Sequence, residues 1–177
     1  MNPRTLKPNG FTLLEALIVL AIVSLLAAIV LPVFSRTKGA AKDTVSINHL
    51  HQLGIALGMN VDDREGRLPS AERMPSHPVD PANPLPRICD LLSPYVGDTS
   101  FRIFRCPLDN VGYYLTEGSS YEWNATFNGV LMHSPFLEHF SLAPEKVPLM
   151  YEYENFHSGG ANGTKVVLFA DGHVSKL

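Results

Sequence analysis

From Phe11 to Phe34 the chain reads FTLLEALIVLAIVSLLAAIVLPVF, and Glu15 is the sole charge in that run. At about 1.5 Å of rise per residue, a helix of this length crosses a hydrocarbon core of roughly 30 Å. A charged group inside a bilayer costs on the order of 2.5–3.5 kcal/mol, so an acid there marks a functional position. Glu15 therefore calls for a compensating partner.

The ten residues ahead of the run, MNPRTLKPNG, are polar and basic, and Pro3, Pro8 and Gly10 oppose a helix. They read as a leader. A secretory signal has an apolar region of only ~7–15 residues and a small-residue cleavage site after it. Here the run is longer, and the natural break, Gly10-Phe11, lies before it. A plain membrane anchor fits the length but leaves Glu15 and the abrupt Gly-Phe start unexplained. Arg36, Lys38 and Lys42 follow the run, so both flanks are basic and charge alone does not set orientation.

Gly10-Phe11-Thr12-Leu13-Leu14-Glu15 behind a short basic leader resembles the cleavage and methylation signal of type IV pilins and type II secretion pseudopilins. The resemblance implies cleavage between Gly10 and Phe11 by a prepilin peptidase on the cytoplasmic side and N-methylation of Phe11. It puts Glu15 at the family's glutamate position and Pro32 at its common proline, where a helix kink is expected. It further implies an inner-membrane subunit with the head in the periplasm. Its partners would be an assembly platform, membrane lipid and other pilin or pseudopilin subunits. Physically, cleavage would place an ammonium on Phe11, and a docking subunit would set that ammonium against a neighbour's Glu15. In low dielectric the opposite charges attract strongly, while either one alone is penalised, so the pair would fix register.

Beyond the run, Val33, Ala40, Ala41, Val45, Leu50, Leu53, Leu57 and Val61 recur mostly at three- and four-residue spacing, with Arg36, Lys42, Asp43, Asn48 and Gln52 between them. This predicts an amphipathic continuation of the helix with one buried stripe. A single helix from Phe11 to about Met59 would be roughly 75 Å long. Gly39, Gly54 and Gly58 each weaken it by about 1 kcal/mol relative to alanine where exposed. Gly66 and Pro69 supply its stop. His49 and His51 stand two apart, so they point to different sides and form no ligand pair. Asp62, Asp63 and Glu65 lack the spacing of a calcium-binding loop.

Half of the fourteen prolines fall within residues 69–94, which predicts an ordered, irregular wrap with at most a turn of helix near Ile88 to Leu92. Cys89 and Cys106 close a loop for which the chain-entropy account gives about 3 kcal/mol if they form a disulfide in an oxidising compartment. Two buried free thiols, or zinc with further ligands, are the alternatives. Short strands are expected at Phe101 to Phe104, Tyr113 to Leu115, Tyr121 to Phe127 and Val147 to Tyr153. Lys165 to Ala170 and His173 to Leu177 flank Asp171-Gly172, a hairpin signal for a type I′ turn. The fold expected is α+β, with the long N-terminal helix packed on a small antiparallel sheet. Its divisions are a leader at 1–10, an assembly half at 11–34, an amphipathic half at 35–62 and a head at 63–177.

Phe104-Arg105-Cys106-Pro107-Leu108-Asp109, Ser120-Tyr121-Glu122-Trp123-Asn124 and Leu168-Phe169-Ala170-Asp171-Gly172-His173-Val174 resemble the heads of pseudopilin-like proteins of planctomycetes and verrucomicrobia. That family is named for a histidine nine residues before an Asp-Gly. The matching histidine here is His157, with thirteen residues between it and Asp171, so the intervening loop is longer.

Net charge is −3, and loss of Arg4 and Lys7 with the leader lowers it by two, which argues against a general nucleic-acid-binding surface. His157, Asp171, His173, Glu152 and Glu154 are the groups from which a metal or hydrolytic site could be built. No nucleophile motif, phosphate loop or zinc-protease helix accompanies them. The expectation is a filament subunit of a secretion pseudopilus or pilus without cofactor, a structural calcium near the Asp171 hairpin being a minor alternative. A membrane-tethered enzyme or metal-binding domain on a pilin-like anchor is the competing reading.

Overall fold

The computed structural model describes residues 13–97, 101–132, 143–158 and 162–177, with the backbone alone at 32, 33, 35 and 36. A long helix, α1 (Leu13–Asp63), precedes two short ones, α2 (Ile88–Leu92) and α3 (Tyr113–Glu117). The strands are β1 (Tyr121–Trp123), β2 (Pro148–Glu152), β3 (Val166–Phe169) and β4 (Val174–Lys176). They form one antiparallel sheet in the order β1-β2-β3-β4. The layout is the expected α+β. Contacts divide the chain into two compact units, one ending at Ala40 and the other Ala41–Leu177.

In the first unit, Leu13–Leu31 has a mean hydropathy of 2.9 and none of it is buried. Its helix is self-contained: Ser24 returns its hydroxyl to the carbonyls of Leu20 (2.8 Å) and Ala21 (3.0 Å), so that polar atom needs no water. The backbone of α1 runs through Pro32 without a break. The leader, Gly10 and Phe11 lie outside the described residues.

In the second unit, Leu50, Leu53, Leu57 and Val61 of α1 enter a core with Leu92, Phe104, Trp123, Leu149, Met150 and Leu168. Each such burial removes a side chain from water for about 1.5–3 kcal/mol. The stripe differs from its predicted course at its start. Ala41 and Val45 are exposed, and Ser46 takes the buried position one turn before Leu50. The helix stops where Glu65 (φ 56°) and Gly66 (φ 81°) turn left-handed and the Gly66 amide caps the Val61 carbonyl at 2.9 Å.

The proline-rich wrap is ordered by side chains, because proline cannot supply ladder donors. Buried Glu72 accepts from the amides of Leu85 (3.1 Å) and Val79 (3.5 Å), and buried Glu117 accepts from the Ser76 amide at 2.9 Å. Asn128 exchanges two hydrogen bonds with the Ala71 backbone and accepts the Trp123 indole N–H at 2.7 Å. Arg73 pairs with Glu122. The wrap's short helix, α2, lies where it was expected.

Two predicted strands are helical instead. Arg102–Phe104 is a 3-10 turn entered through Phe101 at φ 56°, a left-handed step that ends any extended run. Tyr113 to Leu115 belongs to α3, bounded by left-handed Gly112 and Gly118. The Asp109 carboxylate draws that helix out by accepting from the amides of Gly112, Tyr113 and Tyr114 and from the Ser120 hydroxyl. Burial alone would raise the Asp109 carboxyl, but these four donors outweigh it and hold it below its ordinary value. Tyr121 to Phe127 divides into β1 and a 3-10 turn at Ala125–Phe127.

The terminal hairpin forms, but through a different turn. Gly172 has φ 86° while Asp171 does not adopt positive φ. The Gly172 amide reaches the Phe169 carbonyl at 2.9 Å and the Phe169 amide reaches His173 at 3.0 Å. This is a three-residue loop with glycine in the left-handed position, not a type I′ turn.

The glycines of α1 give a test. A Cβ on Gly54 would lie 2.9 Å from Leu168 of β3, whereas one on Gly58 meets nothing within 4 Å. Gly58→Ala should stabilise the head by about 0.5–1 kcal/mol through helix propensity. Gly54→Val should destabilise it by about 1–3 kcal/mol through overpacking. Chemical denaturation followed by far-UV circular dichroism checks both.

Candidate functional site

Two features carry functional potential, one in each unit. The first is the apolar segment, with Glu15 in the first turn of α1, where a carboxylate also faces the positive end of the helix dipole. Leu13, Leu17, Leu20, Leu25 and Leu31 are each more than half exposed, so this surface requires lipid or a neighbouring apolar helix.

The second is a buried polar cluster in the head, centred on His157. The imidazole is 1 % exposed. Its Nδ1 lies 2.6 Å from Asp43 Oδ1 on α1, and its Nε2 lies 2.8 Å from Glu152 Oε1 at the end of β2. The second Glu152 oxygen accepts the Val166 amide of β3 at 2.9 Å. The second Asp43 oxygen accepts from Lys176 of β4 at 2.6 Å. Lys176 also donates to the Ser158 carbonyl at 3.0 Å. The Cys106 thiol completes the cluster: it lies 3.1 Å from the Ser46 hydroxyl and accepts the Leu108 amide at 3.3 Å. One contiguous network therefore joins α1, β2, β3, β4 and the Cys106 loop.

Its electrostatics are balanced. Burial alone would favour neutral His157, but hydrogen bonding with Cys106, Glu152 and Asp43 outweighs it and pushes the imidazole up to about 10. Burial likewise works against the Asp43 carboxylate, and hydrogen bonds from Lys176 and His157 overcome it and hold the group below its ordinary value. Two anions and two cations then alternate through the head, with no net charge left in low dielectric.

The predicted site residues separate into three places. His157 and Glu152 meet, as described. Asp171 and His173 meet only each other, at the exposed hairpin, where Asp171 also accepts the His173 amide at 3.1 Å and the His173 ring stacks on Phe169 at 4.4 Å. Glu154 accepts from the Tyr113 hydroxyl at 3.0 Å. Among the described residues, the donors placed so that they could hold a metal together are Cys106, Glu152 and His157, without Asp171 or His173.

The expected Cys89–Cys106 disulfide is absent: both are free and buried. Cys106 turns toward Ser46, whereas Cys89 packs under Gly118, whose added Cβ would stand 2.8 Å from its sulfur. Burial, the largest effect, raises the Cys89 thiol. His49 and His51 do diverge, His49 Nδ1 lying 3.0 Å from the Arg105 carbonyl and His51 facing solvent.

Asp43 and Ser46 were missed as site residues, yet the sequence holds a signal for them. Stepping back from Leu50 by four and then three reaches Ser46 and Asp43, on the same helical face as Leu53 and Leu57. Two polar residues on a buried stripe demand partners.

Comparison with known proteins concerns the first feature. Residues 6–31 match the family model described as the prokaryotic N-terminal methylation motif. The chain carries a prepilin-type N-terminal methylation motif. That motif implies a precursor of the type IV pilin-like or pseudopilin-like kind, and the apolar helix it opens is compatible with single-pass membrane anchoring. No curated protein and no solved structure matches the chain.

Removing His157 tests the head network. His157→Leu leaves two carboxylates without their shared cation and should cost about 3–5 kcal/mol of head stability. Asp171→Asn, at an exposed turn, should stay within about 0.5 kcal/mol. Equal effects in denaturant titrations would mean that the network does not hold the head together.

Proposed function

We propose that this chain is the precursor of a filament subunit of a type II secretion pseudopilus or a type IV pilus-like fibre. The match of residues 6–31 to the methylation motif is the observation that carries this reading. The exposed apolar face of Leu13–Leu31 supports it, because that face can exchange lipid for the helices of neighbouring subunits.

In this reading a prepilin peptidase cuts between Gly10 and Phe11 and methylates the Phe11 amine. The subunit waits in the inner membrane with its head in the periplasm. An assembly platform then lifts it into the base of the filament. Glu15 sets the step: its carboxylate receives the Phe11 ammonium of an adjacent subunit, and a mismatched register would leave charge in a low-dielectric helical core. The head, which resembles the planctomycete and verrucomicrobial family, serves as the displayed part of a structural subunit rather than as an enzyme. Neither calcium nor nucleic acid enters this reading.

Three measurements test it. The intact mass of the membrane-extracted protein should lack residues 1–10 and carry one added methyl group. Gly10→Leu should leave the precursor uncut, and normal cleavage of that variant would count against the assignment. Glu15→Val should insert normally but reduce filament yield about tenfold or more, the factor that ~1.4 kcal/mol per docking step produces. An unchanged yield would remove Glu15 from its registering role.

A further inference from the structure

We propose that the head holds a structural zinc ion on Cys106 Sγ, His157 Nε2 and Glu152 Oε1, with Asp43 orienting the imidazole from its other nitrogen. The donor atoms of these three residues all lie within 4.8 Å of one another, and all three side chains are buried. A tetrahedral zinc site has bonds of about 2.0–2.3 Å, which separates its donors by about 3.3–3.6 Å. The Nε2 to Oε1 distance is 2.8 Å, so the cluster opens by roughly half an ångström to admit the ion.

The donor chemistry selects the metal. One thiolate, one imidazole and one carboxylate form the mixed sulfur, nitrogen and oxygen set that suits zinc and does not suit calcium or magnesium, which take oxygen. Each ligand also has the support that zinc ligands usually have. Asp43 Oδ1 takes the Nδ1 proton at 2.6 Å, which leaves Nε2 as the metal-binding nitrogen. Glu152 Oε2 is fixed by the Val166 amide at 2.9 Å, which leaves Oε1 turned inward. Cys106 Sγ is steadied by the Leu108 amide at 3.3 Å.

A separate observation points to the same place. Tyr121 is fully buried, stands opposite Glu152 in the sheet, and its hydroxyl has no hydrogen-bond partner among the described residues. A buried hydroxyl left so requires an explanation, and an ion with its fourth ligand at that position supplies one. The fourth position falls to the hydroxyl of Tyr121 or Ser46, or to a water between them.

Charge balance permits the exchange. Zinc with the Cys106 thiolate and Glu152 carboxylate is neutral, and Asp43 with Lys176 is neutral. Metal replaces the thiol proton and one imidazole proton without leaving net charge in the interior. Because the ligands are shut from solvent, the ion joins helix to sheet and offers no open position for a substrate. It would do for the head what a disulfide does for many exported domains.

The test uses the full chain, extracted in detergent with its thiols reduced and without chelator. Metal analysis should give one zinc per chain. Cobalt loaded in its place should show tetrahedral visible bands and the near-ultraviolet charge-transfer absorption of a thiolate ligand. Cys89→Ser should keep both. Cys106→Ser should lose the charge-transfer absorption, and Asp43→Asn should lower zinc affinity about 10- to 100-fold, as second-layer carboxylates do. Background metal in the wild-type chain, before and after zinc is supplied, would overturn the proposal. So would bound cobalt without a thiolate signature, a readout that needs no variant to fold.

Discussion

An imidazole with carboxylates on both of its nitrogens is the contact on which the head depends. Asp43 comes from α1, Glu152 from β2, and His157 lies between them with 1 % of its surface exposed. Apolar packing of Leu50, Leu53 and Leu57 draws the helix onto the sheet, but packing of leucines tolerates sliding by a turn. A charged pair buried at fixed distances does not, because any other register leaves an unpaired ion in low dielectric. The network therefore selects one seating of helix on sheet, while the leucines supply most of the driving force.

The same device recurs through the head. Glu72, Glu117 and Glu122 are each buried, and each engages the proline-rich wrap or Arg73 on it. Between residues 69 and 87 the proline-rich wrap contributes no helix or strand, so its amide groups must find other acceptors. A buried carboxylate can accept several donors at once. Asp109 does this for the start of α3. An irregular stretch is thus fixed as firmly as a strand, with side chains doing the work of a ladder.

Which parts could be read from residues alone follows from the range of the interactions involved. The long helix, α2 and the terminal hairpin are set by patterns within a few residues, and each was legible. Residues 101–104 alternate like a strand and 113–115 are aromatic and apolar, but Phe101 at positive φ and the Asp109 cap turn both into helix. Asp43 looked like a solvated charge because its partners, His157 and Lys176, lie more than a hundred residues away in sequence. The disulfide was expected on the premise of an oxidising compartment, whereas the two thiols are buried against different neighbours. For the same reason His157 and Glu152 come together with Cys106, while Asp171, His173 and Glu154 lie elsewhere.

The two units make opposite demands on their surroundings. The apolar segment leaves its leucines exposed and satisfies its backbone and Ser24 internally, so its energy depends on what covers it. The buried charges of the His157 network find their partners within residues Ala41–Leu177. Under the proposed filament reading this separation has a mechanical consequence. A subunit leaving the membrane exchanges acyl chains for neighbouring helices along one segment, and the free energy of that step falls on the segment alone. The buried network keeps the head in one conformation throughout, so the surface displayed on the fibre is the surface already formed before assembly.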